Sequence, residues 1–263
     1  MRETPRIRSQ VAADEALKII GTLRSCFREK FGTPRQPHLV PDATATLKVA
    51  RQYQPEQSLV GLDRFSHVWL LSYFHLNTNT RFSAKVHPPR LKGETIGLFA
   101  SRSPHRPSPI GLSVARLVKI EGDPLHLSAI DLVDGTPILD VKPYVPESDC
   151  FPDASAGWTK GAPFPSLTVS FEPQALEDVA AAEKRLKTKN IARLLTDILS
   201  QDLRNPRDRS QLKDDVELGF FLHDFDAHYV VRGGAAIVLK LVTGTTMHKK
   251  ERRASPKRVA LER

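Results

Sequence analysis

This chain is poor in the residues from which the commonest metal and nucleotide sites are built. Only two cysteines occur in 263 residues, Cys26 and Cys150, far apart and in no CxxC pair. That removes a zinc-ribbon or disulfide scaffold and leaves two thiols of the kind expected in a reducing cytoplasm. No G-x-G-x-x-G occurs, which excludes the usual Rossmann nucleotide site, and no G-x-x-x-x-G-K-[ST], which excludes a standard P-loop. The longest apolar run, Val68 to Phe74, has the length of one buried strand, far short of the ~20 residues a membrane helix needs. The charged N-terminus has no apolar segment behind it, so no secretory signal is expected. Acidic residues are also in deficit: 30 Asp and Glu face 39 Lys and Arg, for a formal charge of +9. A balance of that sign favours a polyanionic partner, RNA or DNA first. Part of the excess, Lys249, Lys250, Arg252, Arg253, Lys257 and Arg258, crowds the end of the chain and reads as a solvated basic tail.

Proline, by contrast, is plentiful and placed. The run Ala100-Ser101-Arg102-Ser103-Pro104-His105-Arg106-Pro107-Ser108-Pro109-Ile110 ends at Gly111. Its three prolines fix φ and remove three backbone donors, so neither a helix nor a central strand passes through it. Two arginines and a histidine are thereby held on a stiff loop that has little entropy left to lose, as a site for an anionic or planar ligand requires. Two further proline-stiffened basic loops follow the same plan, Thr33-Pro34-Arg35-Gln36-Pro37-His38 and Val86-His87-Pro88-Pro89-Arg90.

Around these loops the pattern is one of short strands. Alternation over Leu17, Ile19, Gly21 and Leu23 suggests a first strand from Leu17 to Arg24. Leu59 to Phe74 contains the most apolar strand, and Thr95 to Ala100 reads as a short strand leading into the proline loop. Leu112 to Glu121 and Leu125 to Ile130 flank Gly122-Asp123 as a hairpin, and Asp131 to Pro137 turns the chain into Ile138 to Tyr144. With hardly a helical period before residue 150, the fold class expected is mainly β, a closed antiparallel barrel. Composition then shifts. Asp153 to Pro165 reads as a linker, Leu167 to Phe171 as a strand, and Pro173 to Leu186 and Asn190 to Leu199 as helices, with Thr188 as N-cap. Phe220 to Val231 and Ala235 to Val242 read as a hairpin across Arg232-Gly233-Gly234. The expected organisation is a flexible lead (1–14), a barrel (15–152), a linker (153–165), a small α+β unit (166–243) and a basic tail (244–263).

Two tempting motifs carry little. Gly111-Leu112-Ser113-Val114-Ala115 approaches the GxSxG elbow but lacks the last glycine and is followed by a strand, so Ser113 reads as a strand residue. His223 and His228 sit five apart in a strand pattern, on opposite faces, and cannot share one metal ion without a bulge. No metal is expected.

Five blocks, in order, resemble a known family. They are Pro34-Arg35-Gln36-Pro37; Gly61-Leu62 with Phe65-Ser66-His67-Val68-Trp69 and Phe74-His75; Arg102-Ser103-Pro104-His105-Arg106-Pro107 with Pro109-Ile110-Gly111; Asp131-Leu132-Val133-Asp134-Gly135-Thr136-Pro137; and Asp140-Val141-Lys142-Pro143-Tyr144. Together they are similar to the TsaA-like family, whose bacterial members are TrmO-type tRNA methyltransferases. Leu222-His223-Asp224-Phe225 resembles the family's C-terminal block. The family's Pro-Arg-Pro-Ala-Tyr stretch is matched only loosely, by Asp202-Leu203-Arg204-Asn205-Pro206-Arg207.

The resemblance implies S-adenosylmethionine as cofactor, methylation of the exocyclic nitrogen of threonylcarbamoyladenosine beside the tRNA anticodon, and a homodimer in the cytoplasm. Carried over by position, cofactor contacts fall at Gln36, Pro37, His38, His75, Leu76, Arg102, Leu112, Ser128, Ala129, Ile130 and Asp131. Arg102 would pair with the cofactor carboxylate through its planar fork. Asp131 would accept from a ribose hydroxyl or the ammonium group, and backbone near Ile130 and His38 would read the adenine edge. Arg35, Arg90, His105, Arg106 and Lys142 are the expected RNA contacts. His67, His75 and Tyr144 are possible bases, with no catalytic residue assigned. Plain readings stand beside these: His67 as a hydrogen-bonded core histidine, Tyr144 as turn packing, Asp131 and Asp134 as caps of the Asp-Gly turn, and Phe65, Trp69 and Phe74 as core. A non-catalytic RNA-binding barrel is the competing class, and a small-molecule-binding barrel the third.

Overall fold

Period-two alternation builds the first half of the molecule. In β2 (Thr44–Val49), Ala45, Leu47 and Val49 turn inward while Thr44, Thr46 and Lys48 face out. β1 (Gly21–Ser25), β3 (His67–Tyr73), β6 (Ile110–Ile120), β7 (Pro124–Ser128) and β8 (Pro137–Pro143) carry the same rhythm. The computed structural model describes residues 17–78, 81–91, 93–164, 166–204, 209 and 214–244. The lead (1–14), all six tail cations named above, and Asn205, Pro206 and Arg207 lie outside the described residues.

The six strands close into a barrel in the order β1-β2-β7-β6-β3-β8, with every pairing antiparallel. Leu23, Leu47, Val68, Leu70, Leu125, Leu127 and Ile138 fill it at no more than 1% exposure, each contributing ~1.5–3 kcal/mol by leaving water. Single helical turns, α1 (Pro55–Ser58) and α2 (Pro146–Asp149), decorate the outside. A two-stranded ribbon of β4 (Lys85–Val86) and β5 (Ile96–Gly97) stands between β3 and β6. Among the described residues no helix is long and apolar enough to cross a membrane.

The second half is a four-stranded sheet ordered β10-β11-β12-β9, from β9 (Thr168–Phe171), β10 (Leu218–Leu222), β11 (Phe225–Arg232) and β12 (Ala235–Thr243). Helices α3 (Pro173–Leu186) and α4 (Ile191–Ser200) pack on it through Val179, Ala182, Leu195 and Ile198. This core also takes Cys26, Phe27, Val40 and Ala43 from the loop between β1 and β2, so the two halves interlock.

Several local expectations are corrected. The first strand begins only at Gly21; Leu17 and Ile19, 63% and 50% exposed, take no part in it. β2 was hidden by the threonines on its outer face. Thr95 to Ala100 is strand only at Ile96-Gly97 and then a 3₁₀ turn, Leu98–Ala100. Phe220 to Val231 is two strands, because His223 (φ 52) takes a left-handed conformation and folds β10 back onto β11. Asn190, not Thr188, stands at the N-cap of α4; the Thr188 hydroxyl donates to the Asn190 side-chain oxygen. Trp69 lies on the barrel's outside, leaning on Tyr144 with ring centroids 5.8 Å apart and donating to Asp149 at 2.9 Å. Phe65 is 37% exposed, and of the three aromatics only Phe74 packs against the barrel core.

Gly111 is buried where β6 meets β3: a Cβ there would come within 2.5 Å of Ser72 Oγ and 2.7 Å of the Phe74 ring. Gly111→Ala is therefore expected to cost ~1–3 kcal/mol in urea unfolding through overpacking. A change below ~0.5 kcal/mol would mean that Phe74 moves freely at this point.

Candidate functional site

The site begins where β6 leaves the proline loop. Residues 101–109 form no regular element and are braced by their own hydroxyls: Ser101 Oγ donates to Leu98 O at 2.8 Å, and Ser103 N and His105 N donate to Ser101 Oγ and Ser103 Oγ, both at 3.3 Å. External struts complete the brace. Asn77 Nδ2 donates to Pro104 O at 2.6 Å, Phe74 N to Pro109 O at 2.8 Å and Trp158 Nε1 to Ala100 O at 2.7 Å. Between this loop and the β7–β8 connection lies a cleft of about 220 Å³, whose wall includes Lys30, Pro34, His75, Leu76, His105 and Asp131.

Two hydrogen bonds join the four segments of the site. Ser113 Oγ donates to Asp131 Oδ1 at 2.7 Å, tying β6 to the β7–β8 connection. Arg102 Nη1 donates to Gln36 Oε1 at 3.3 Å, tying the proline loop to the first basic loop. Burial pushes the Asp131 carboxyl up to about 6, opposed by the Ser113 hydroxyl and by the charge of Arg102. The site thus holds a desolvated acid beside a cation, an arrangement suited to a ligand with both an anionic and a donor end. Before Asp131, Ala129 (φ 55) is held in the left-handed region with its N–H on Pro41 O at 3.0 Å, a strain of the kind found at binding loops.

The other expected cofactor positions lie on these or adjoining segments and face in different directions. Pro37 and His38 lie in a 3₁₀ turn, Pro37–Leu39, packed against β6. Leu112 stands on the outer face of β6, 55% exposed. Ser128 ends β7 and Ile130 is buried in the barrel core. Of the possible bases, His75 lines the cleft, whereas His67 and Tyr144 pack edge to face elsewhere on the wall, 6.4 Å between centroids. Asp134 does not cap its own Asp-Gly turn: its carboxylate accepts from Ser25 N at 3.0 Å and Arg28 Nη1 at 2.6 Å, tying the turn to the end of β1 and the chain after it. Among the described residues no group of three or more potential ligands could hold a metal.

The expected RNA contacts are differently placed. His105 faces the cleft. Arg106 turns Nη1 back onto Ser101 O at 2.9 Å and lies over Phe99 at 5.5 Å. Arg90 donates to Thr159 O at 2.6 Å and to Ala162 O, and stacks between Trp158 and Phe164. Lys142 pairs with Asp140 at 2.9 Å, and Arg35 donates to Asp202 O at 3.3 Å. Sequence reasoning missed Ser113 as a site residue. Its signal was a hydroxyl at an inward position between Gly111 and Ala115, where an apolar side chain is the rule. Lys30, which donates to Leu76 O at 2.5 Å, had no such signal.

The family described as the tRNA-methyltransferase O N-terminal domain matches residues 22–150. The chain is 43% identical over 212 residues to a Pseudomonas aeruginosa protein named putative S-adenosylmethionine-dependent methyltransferase RcsF, covering 80% of this chain and 90% of that one. It is 37% identical over 217 residues to the tRNA (adenine(37)-N6)-methyltransferase of Escherichia coli, covering 81% and 91%. The mouse protein of that same name is 52% identical over 132 residues, 49% of this chain, which spans 31% of the mouse protein's length. A crystal structure of TrmO from Pseudomonas aeruginosa matches with a TM-score of 0.73 at 37% identity, covering 86% of this chain and 97% of that one.

The Asp131 carboxyl titrates above its unfolded value of ~3.9, so ionising it costs folded-state stability. That cost is absent below pH ~4, grows as pH rises to about 6 and persists above. Wild type is expected to lose stability relative to Asp131→Asn across that window in denaturant titrations, and Ser113→Ala is expected to move the midpoint higher. A pH-independent difference between wild type and Asp131→Asn would contradict the burial of this charge.

Proposed function

Because this chain belongs to the tRNA-methyltransferase O family, we propose that it is an S-adenosylmethionine-dependent methyltransferase acting on N6 of threonylcarbamoyladenosine at position 37 of tRNA. The observation that carries this reading is the Asp131 carboxyl in the wall of a cleft beside His75, Leu76 and His105, hydrogen-bonded to Ser113 and within the field of Arg102, which itself bonds Gln36. The residues present fit the cofactor. Arg102 offers a planar fork to its carboxylate, and Asp131 offers an acceptor for a ribose hydroxyl or the ammonium group. Gln36, Pro37, His38, His75, Leu76, Leu112, Ser128, Ala129 and Ile130 complete the proposed lining. When bound, the cofactor supplies a methyl carbon already activated by its sulfonium, so alignment is the protein's main task. The braced loop supplies it: its prolines and hydroxyl struts fix Arg102 relative to His105 and Arg106 before any ligand arrives. The acceptor nitrogen loses a proton as it gains the methyl carbon, and no side chain is assigned as the base.

For the substrate we assign Arg35, Arg90, His105, Arg106 and Lys142 to tRNA around the anticodon loop. The hydrogen bonds that Arg106 makes to its own loop come from Nη1 alone. Residues 15–152 are taken to carry the cofactor site, 166–243 to form the second unit and 153–165 to connect them. A homodimer is supported by the row of exposed apolar side chains on adjoining strands, Tyr73, Ile110 and Leu112, 37–55% exposed. The free thiols of Cys26 and Cys150 suit a reducing cytoplasm.

Calorimetry with S-adenosylmethionine tests the reading. Arg102→Ala is expected to weaken binding by about tenfold or more, since a hydrogen bond to a charged group contributes ~1.5–3 kcal/mol. No binding by wild type at millimolar cofactor would leave the non-catalytic RNA-binding barrel. Methylation of tRNA, followed by nucleoside mass spectrometry, is expected to fall steeply with salt; a flat response would point to a small-molecule acceptor.

A further inference from the structure

Phe99, 76% exposed, is the most exposed aromatic side chain among the described residues, yet its backbone is clamped on both sides. Leu98 before it is 2% exposed and donates its N–H to Ala84 O at 2.9 Å across the β4–β5 ribbon. Leu98 O accepts from Ser101 N at 3.1 Å and Ser101 Oγ at 2.8 Å, and Ala100 O accepts from Trp158 Nε1 at 2.7 Å. Arg106 Nη1 donates to Leu98 O at 3.4 Å and to Ser101 O at 2.9 Å, which sets its guanidinium over the Phe99 ring, 5.5 Å from the centroid.

A single exposed apolar side chain is ordinary on a protein surface. Phe99 differs because one face of its ring is already stacked by a fixed cation while the ring as a whole stays open to solvent. The ring can therefore extend the stack with little entropy left to lose. Its surroundings select what fits. From residue 81 to 110 the chain carries six Lys and Arg, at 81, 85, 90, 92, 102 and 106, and one acid, Glu94. A second copy packed face to face on this segment would set these cations against the same cations. A nucleobase brings a flat π-face for the ring and flanking phosphates for the cations. Unpaired bases of RNA loops are held on aromatic and guanidinium planes in this way.

We propose that Phe99, backed by Arg106, is a stacking platform for one unpaired nucleobase of the RNA substrate. Phe99 is not in the wall of the cleft that holds Asp131 and His105, so the base it takes is a neighbour of the acceptor adenosine and not the acceptor itself. Ser101 joins the platform to the cofactor loop: its hydroxyl, which donates to Leu98 O, also accepts from Ser103 N at 3.3 Å. Arg102 stands between Ser101 and Ser103, inside that brace. A base seated on Phe99 thereby sets where the next nucleotide falls relative to Arg102. The proposal rests on the tRNA methyltransferase reading and adds to it a residue that positions the RNA loop.

Binding of an anticodon stem-loop RNA to the full chain is measured with 2-aminopurine placed in turn on either side of position 37. Wild type is expected to quench the fluorophore at one of the two positions. Phe99→Leu, which keeps an apolar side chain but no ring, is expected to lose that quenching and to weaken binding about fivefold or more. Its salt slope is expected to match wild type, because stacking releases no counterions. Phe99→Trp is expected to restore both quenching and affinity. No quenching by wild type at either position, or quenching retained in Phe99→Leu, overturns the platform. A changed oligomeric state in Phe99→Leu with unaltered RNA affinity assigns the ring to a second copy and overturns it as well. Calorimetry of wild type and Phe99→Leu with S-adenosylmethionine runs in parallel. Absence of binding by wild type there registers failure of the methyltransferase reading separately, and equal affinities show that the variant is folded.

Discussion

The peptide groups of Cys26 and Phe27 are shared between the two halves of this molecule, and the position of the site depends on that sharing. Cys26 O accepts from His223 N, and Phe27 O from Asp134 N, each at 2.7 Å. Phe27 also forms a bridge with Leu222 while its ring is buried in the second core. Thus one short piece of chain, leaving the barrel at β1, is clamped by the C-terminal hairpin on one side and the Asp134 turn on the other. The same burial pushes the Cys26 thiol up to about 12 and makes it inert. From this clamp the chain runs directly to Lys30, Pro34, Arg35 and Gln36, so the first basic loop is aimed by contacts that lie mostly outside the barrel.

Around the cleft, rigidity is obtained in three different ways. Proline removes freedom from the 101–109 loop before folding, so less entropy is lost when its cations are ordered. Serine hydroxyls then occupy the donors and acceptors that a strand ladder would otherwise have satisfied. Ala129 is held in a conformation that costs about 1–3 kcal/mol, a cost the closed barrel around it sustains. Asp131 is the electrostatic counterpart of that strain: a buried acid retained because Ser113 and Arg102 partly offset its desolvation.

The barrel was legible because its inward positions are apolar and its outward ones polar, as in β6 and β7, where the hairpin turn falls at Gly122-Asp123. The same rule read too simply failed at two places. β2 carries only Ala45, Leu47 and Val49 against three outward polar residues, and the flanking loops obscured it. At His223-Asp224 the apolar pattern runs on through the turn, since both neighbouring strands are buried. Trp69 illustrates a different limit: its residue type signals burial, but its parity on β3 puts it outside, where α2 supplies Asp149 as a partner. The cofactor loops announced themselves through proline and arginine. Ser113 did not, because one hydroxyl in a strand has no signature until its partner is known.

The order of residues alone determined the mainly β class, the stiff cationic loops and the family to which the chain belongs, because alternation, proline and local motifs act over a few neighbours. Only the tertiary structure decided which charges are spent and which are spare. Arg90 and Arg106 look equivalent to Arg35 in the sequence, yet each turns donors onto backbone carbonyls and an aromatic ring, whereas Arg35 places only Nη2 on a carbonyl and its buried Nη1 has no partner among the described residues. The difference lies in partners distant along the chain, such as Asp202 and Arg209. A hydrogen bond or an ion pair depends on separation in space, and sequence separation carries no information about that until the chain is folded.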